Sequence, residues 1–190
     1  MTAEYRMLPG SSADRVRRSS GSGPGGRTRE IQRLIGRSLR SVVDLRRLGQ
    51  NTVYVDCDVL DADGGTRCAS ITGASLALEM AFRRLYNDGE LDSWPMRDHV
   101  AAVSVGIVDG EVRLDLCYEE DRRADVDMNV VATATGNLVE VQGTAEGAPF
   151  SQDQLNDMIA LAREGAEKIA SLQKDVLRNE QKQHHEKQTS

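Results

Sequence analysis

Asp63-Gly64-Gly65-Thr66-Arg67 is the segment of this sequence best suited to hold an anion. Paired glycines between a strand end and a helix start let backbone N–H groups approach a ligand, and the helix N-terminus adds positive potential. An oxyanion there would meet the backbone at Gly65, the Thr66 hydroxyl and the Arg67 guanidinium, whose planar fork suits two oxygens at once. The pattern is short, and an ordinary turn also explains it. Gly25-Gly26-Arg27-Thr28 repeats the same setting, a glycine pair and an arginine where a helix begins. Two such helix starts facing one anion make a shared phosphate site; either alone reads equally well as a loop.

A third segment, Glu119-Glu120-Asp121-Arg122-Arg123-Ala124-Asp125-Val126-Asp127, is an acidic loop running into a strand. Asp125 and Asp127 are two apart, so an extended backbone points both to one face, where they could hold Mg²⁺. Asp121 lies on the approach, and a solvated acidic turn is the competing reading. Histidine occurs only at His99, His184 and His185, which leaves Ser-His-Asp and Cys-His catalysis almost without candidates. Cys57, Cys68 and Cys117 are odd in number and lack CxxC spacing, so they read as small core or loop residues rather than a disulfide or zinc framework. The chemistry falls to anions, arginines and carboxylates.

Positioning these residues requires helices and strands in a definite order. Thr28 is a plausible N-cap for an amphipathic helix burying Ile31, Leu34, Ile35, Leu39, Val42 and Val43, with Arg29, Arg33, Arg37 and Arg40 along its other side. Val53, Val55, Cys57 and Val59 alternate with polar residues as in a half-buried strand. A helix over about Ser70 to Asn87 follows, closed by Asp88-Gly89. Strands are expected over Val100 to Val108 and Val112 to Tyr118, joined by the hairpin turn Asp109-Gly110, then over Val126 to Thr133 and Leu138 to Gln142. Ser151 and Gln154 form a capping box for a last helix burying Leu155, Met158, Ile159, Ala162 and Ile169. This order reads as α+β.

The chain has 190 residues, 39% of them hydrophobic, which suits one domain with its own core. It contains no apolar run near the roughly 18 residues of a membrane span and no signal-peptide pattern at its start, so a soluble, cytoplasmic protein without a membrane partner is expected. The net charge of −6 hides an asymmetry: residues 1–47 carry 11 arginines and 4 acids, a balance of +7, against −13 for the rest. All four lysines lie near the C-terminus, so the basic region is pure arginine. That points to polyanion capture at one place, with a solvated helix face as the alternative. Residues 10–27, rich in Gly, Ser and Arg, read as a mobile basic loop, and residues 179–190 as a disordered polar tail, leaving one domain over 1–178.

Longer blocks carry a resemblance. Gly26-Arg27-Thr28 followed by Glu30-Ile31-Gln32-Arg33-Leu34-Ile35-Gly36-Arg37-Ser38-Leu39-Arg40 is similar to the first-helix signature of the RNase PH family. Val55-Asp56-Cys57-Asp58-Val59-Leu60, Ala62-Asp63-Gly64-Gly65-Thr66-Arg67, Ala69-Ser70-Ile71-Thr72-Gly73 and Ala101-Ala102-Val103-Ser104-Val105-Gly106-Ile107 resemble consecutive family blocks. Asp127-Met128-Asn129-Val130-Val131 and Glu140-Val141-Gln142-Gly143-Thr144-Ala145-Glu146-Gly147 complete the series.

The resemblance implies a ribosomal-protein-S5-domain-2-like fold, hexameric ring assembly, and phosphorolytic trimming of tRNA precursors and other RNA 3′ ends. Nucleoside diphosphates are released, and the reaction reverses as nucleotidyl transfer. It further implies that inorganic phosphate, the co-substrate, is held by Arg27, Gly65, Thr66 and Arg67, that Asp121 and Asp127 are the catalytic and Mg²⁺-binding groups, and that Arg15 and Arg18 contact RNA. Met1-Thr2-Ala3-Glu4-Tyr5 matches an interior stretch of the family, so the fold's opening strands are expected to be missing. Gly10 stands where the family usually has arginine, and Arg6 where it usually has glycine. The competing function is a non-catalytic ring or interaction subunit, or an inactive truncated fragment. Such subunits usually lose the phosphate arginines or the aspartates, and Arg27, Thr66, Arg67, Asp121 and Asp127 are all present here.

Overall fold

The computed structural model of the chain describes residues 1–15 and 23–188, with side chains as far as 182. Its first element is a strand, β1 (Thr2–Met7), in which Ala3 and Tyr5 are buried while Thr2, Glu4 and Arg6 face solvent. β1 pairs in parallel with β2 (Tyr54–Val59), in register from Thr2 opposite Tyr54 to Met7 opposite Val59. Parallel strands need a crossover, and α1 (Gly26–Ser41) supplies it. Ile31, Leu34, Ile35 and Leu39 are its buried stripe, and Arg29, Arg33, Arg37 and Arg40 lie exposed on the opposite side. The N-cap is Gly25, not Thr28, because the Gly25 carbonyl already accepts the Arg29 N–H at 3.0 Å.

α2 (Thr66–Asn87) begins four residues before the expected Ser70, since the Gly65 carbonyl accepts the Ala69 N–H. Beyond it lie β3 (Val100–Val108), β4 (Glu111–Leu114), the short α3 (Tyr118–Asp121), β5 (Val126–Thr133) and β6 (Leu138–Ala145). The four strands form an antiparallel sheet in the order β4-β3-β5-β6. β4 is shorter than the alternation suggested: Asp115 takes φ 60°, which ends the strand, and the chain turns into α3. β6 in turn runs past Gln142 to Ala145.

Two cores sit on the two faces of this sheet. Val100 and Ala102 of β3 and Val131 of β5 pack with Ile35, Leu39, Ile71, Leu78 and Phe82 from α1 and α2. Val103, Val105, Met128 and Val130 pack instead against Met158 and Ala162 of α4 (Gln152–Gln188). β3 is therefore buried along its whole length, which explains its unbroken apolar sequence. The Ser151–Gln154 capping box forms as expected, with bonds of 3.2 and 2.8 Å. α4 continues through the stretch expected to be a disordered tail, because Gln, Lys, Arg and Glu are good helix formers once a helix is nucleated. The α+β class and the RNase PH-like fold are those of the structure, and among the described residues no helix is long and apolar enough to cross a membrane.

The inner core sets the stability. Leu39→Ala, at a fully buried site, should cost about 2–5 kcal/mol in chemical denaturation. Leu172→Ala, at a position 64% exposed on α4, should stay within about 0.5 kcal/mol.

Candidate functional site

The two glycine-led helix starts and the acidic segment open onto a single cleft of about 1470 Å³. Arg27, Gly65, Thr66, Arg67, Asp121 and Asp127 all line it. At its base, Gly64 and Gly65 take φ of 73° and 55°, left-handed values that glycine adopts without strain. Gly65 is the N-cap of α2, so the first N–H groups of that helix are free of intrahelical partners and suited to an anion. α1 presents Arg27 from its own first turn in the same way.

A Cβ on Gly64 would lie 2.4 Å from the Leu116 carbonyl oxygen, so the turn and the Leu116-Cys117-Tyr118 backbone meet closer than any side chain permits. Asp63 Oδ1 accepts the Tyr118 N–H at 3.0 Å, and Ser104 Oγ accepts the Leu116 N–H at 3.1 Å. These bonds set α3, and with it Asp121, beside the anion turn. Tyr5, buried in β1, joins from the other side: its hydroxyl lies 2.8 Å from Thr66 Oγ1. Arg67, with its side chain only 15% exposed, is steadied by Glu30 of α1 at 3.9 Å.

Asp127 reaches the cleft by strand parity. The alternation that turns Val131 toward α1 and α2 also puts Asn129 and Asp127 on that face of β5, and both line the cleft. Asp125 does not join them: it is exposed, outside the strand and absent from the cleft wall, because its N–H is bound by the Ile107 carbonyl where β5 begins. The pairing of Asp125 with Asp127 is thus replaced by Asp121 with Asp127. Burial raises the Asp127 carboxyl above its ordinary value, and the charge of Asp121 adds to this; Arg67 and Arg27 oppose it, and Glu146 adds a smaller push upward. One carboxyl accordingly senses both arginines and two other acids, which places all five in one electrostatic neighbourhood.

Arg15 is exposed and does not line the cleft, and Arg18 lies outside the described residues. Within the stretch expected to be mobile, Ser11 is fully buried and its carbonyl accepts the Ala62 N–H at 2.7 Å; residues 16–22 lie outside the described part. The cysteines are structural: burial pushes the Cys68 thiol up to about 12, and it donates to Asn129 Oδ1, while burial and the flanking Asp56 and Asp58 raise Cys57. Tyr5, Ser104, Asn129 and Glu146 belong to the site without having been singled out as site residues, while Asp63 heads the segment read as the anion turn. Only Asn129 carried a usable signal, its spacing of two from Asp127. A second cavity, around Glu79, Arg83, Trp94 and His99, contains none of the expected site residues.

The sequence profile of the 3′ exoribonuclease family matches twice, domain 1 over residues 1–83 and domain 2 over residues 98–165. The chain belongs to the RNase PH family. Ribonuclease PH of Neisseria meningitidis serogroup C is 54% identical over 178 residues, covering 93% of this chain and 74% of the relative. Ribonuclease PH of Synechococcus sp. is 56% identical over 176 residues, with 93% and 71% coverage, and that of Syntrophomonas wolfei is 52% identical over 178. In fold the chain is similar to a crystal structure of rice Rrp46, with a TM-score of 0.66 at 18% identity over 93% of this chain and 73% of that one. Within this RNase PH chain the cleft joins the two family domains: Arg27, Thr66 and Arg67 come from the first, Asp121 and Asp127 from the second.

A raised carboxyl has a measurable sign. The folded state holds the Asp127 proton more tightly than the unfolded chain, so its ionisation weakens the fold as pH rises from the ordinary carboxylate range through the raised value. Asp127→Asn removes that penalty. The variant should melt at a higher temperature than the parent at pH 7, with the gap closing as the pH is lowered through the carboxylate range in paired thermal melts.

Proposed function

We propose that this chain is a phosphate-dependent 3′-to-5′ exoribonuclease that trims tRNA precursors, releases nucleoside diphosphates and runs in reverse as a nucleotidyltransferase. The observation that carries the reading is the convergence of Arg27, Thr66, Arg67, Asp121 and Asp127, supplied by two family domains, on one cleft. Inorganic phosphate binds at the Gly65-Thr66-Arg67 helix start, with Arg27 closing from α1. An oxygen of that phosphate attacks the phosphorus of the terminal phosphodiester in line. The bond to the 3′ oxygen of the penultimate nucleotide breaks, the terminal nucleotide leaves as its diphosphate, and the shortened RNA regains a 3′ hydroxyl. Arg27 and Arg67 neutralise charge on the equatorial oxygens and align nucleophile and scissile bond. Asp127 serves the leaving 3′ oxygen either as the acid that protonates it, its proton affinity raised by burial, or, when ionised, as a ligand that would hold Mg²⁺.

Asp121 and Asp127 are hard oxygen donors lining one cleft, and the charge of Asp121 helps raise the Asp127 carboxyl; this is a pair of the kind that would hold Mg²⁺. Held there, Mg²⁺ would offset the negative charge of the two carboxylates and polarise phosphoryl oxygens. Arg15 and Arg18 lead the RNA strand toward the cleft, and the working form in the cytoplasm is a hexameric ring. These are expectations carried from the family.

Trimming of an RNA 3′ end should require inorganic phosphate and yield diphosphates; phosphate-independent release of monophosphates, read by chromatography, would overturn the proposal. Arg67→Ala should raise the phosphate KM about 10- to 100-fold, the worth of losing a charge-assisted hydrogen bond of roughly 1.5–3 kcal/mol, and leave RNA affinity in place. Asp127→Asn, assayed at saturating phosphate with RNA binding intact, should lose on the order of 10² to 10⁴ in turnover. Near-normal turnover would reassign the acid to Asp121.

A further inference from the structure

Tyr5 occupies a place in β1 that, by alternation, asks only for an apolar side chain. It is 5% exposed, stands opposite Cys57 of β2, and belongs to the core that also holds Ile31, Leu34 and Ile71. A phenylalanine would meet every packing demand of that position. The hydroxyl, however, reaches out of the core to the wall of the cleft and lies 2.8 Å from Thr66 Oγ1, in the first turn of α2. A buried phenolic O–H requires a partner, and Thr66 is the one it has among the described residues.

Which oxygen donates is decided by what Thr66 faces. A hydroxyl has one proton to give and two lone pairs with which to accept. An anion over the α2 N-terminus accepts, so Thr66 must spend its proton there and can only accept from Tyr5. The chain then runs Tyr5 O–H to Thr66 Oγ1, and Thr66 O–H to the anion, each bond polarising the next. Without the Tyr5 hydroxyl, Thr66 loses the donor that fixes its rotamer and proton direction.

We infer that Tyr5 is a positioning residue of the phosphate site, its hydroxyl holding the Thr66 O–H aimed at inorganic phosphate. The inference rests on the phosphate reading of the cleft and adds to it a group outside the anion turn. It also makes β1, a strand remote in sequence from α2, part of the phosphate site.

The test is a double-mutant cycle in the full chain with Tyr5→Phe, Thr66→Val and the double variant. Inorganic phosphate is the varied ligand, and three quantities are read: phosphate KM, turnover at saturating phosphate, and RNA affinity. A net hydrogen bond of about 0.5–1.5 kcal/mol corresponds to a factor of roughly 2 to 12. Tyr5→Phe should raise the phosphate KM by that factor with turnover and RNA affinity unchanged, and should add nothing once Thr66 is valine. The rise in melting temperature caused by inorganic phosphate should shrink in the same variant, a readout independent of activity. Additive effects of the two substitutions, an unchanged phosphate KM, or loss of cooperative melting in Tyr5→Phe would each return the hydroxyl to simple core satisfaction and overturn the inference. Failure of the underlying reading looks different: Thr66→Val and Arg67→Ala would then both leave the phosphate KM untouched.

Discussion

Two pieces of backbone meet at the base of the cleft with no room for a side chain between them. Gly64 lies so near the Leu116 carbonyl that a single methyl group at that position would have to push the two segments apart. The turn that opens α2 and the segment that opens α3 are locked by this contact, by Asp63 on the Tyr118 N–H and by Ser104 on the Leu116 N–H. Everything polar in the cleft is referred to this seam. On one side of it stand Thr66 and Arg67; on the other stand Asp121 and, one strand away, Asp127. Only glycine's missing Cβ brings the cationic and anionic halves within one site, and the backbone there is left-handed besides.

The cleft also bears on the proposed capture of a polyanion by an acidic chain. Net charge describes the whole surface, whereas capture depends on the local field. Not all of the N-terminal arginine excess is available for that purpose. Arg37 is paired with Glu140 of β6 at 2.6 Å, and Arg40 donates to the Met1 carbonyl at 3.2 Å, so half of the α1 arginine row knits the helix to its neighbours. Arg27 and Arg67, by contrast, act on the half-buried Asp127 carboxyl, whose ionisation they favour and burial disfavours. The balance leaves the Asp127 carboxyl raised beside the proposed phosphate site.

Much of this was legible before any coordinates. β3 and β5 run over the spans expected from their apolar sequences, the Asp109-Gly110 turn closes β3 and β4, and the glycine pairs mark true helix starts. Local signals failed where tertiary bonds decide. The six residues of β1 alternate correctly, yet a short strand shows its worth only against a partner some fifty residues away. Asp115 in the left-handed region ends β4 without any glycine to announce it. Asp125 and Asp127 satisfy a period-two rule that applies only inside the strand, and the strand begins between them. The contact of the Tyr5 hydroxyl has no local signature at all, because its partner Thr66 is 61 positions distant.

β5 carries a consequence for how such chains can change length. Asp127 faces Gly106 on one side and Thr144 on the other, and the residues flanking it, Val126 and Met128, are buried against α4. Adding or deleting one residue between Asp125 and Asp127 would invert every side chain beyond it, sending Met128 into the cleft and a carboxylate into the apolar layer. The Asp109-Gly110 and Thr135-Gly136-Asn137 turns, lying at the ends of strands, can absorb an insertion without disturbing that parity. Length variation among chains built this way should therefore gather at the two turns and be purged from the strand between them, an indel pattern written by sheet pleating rather than by catalysis.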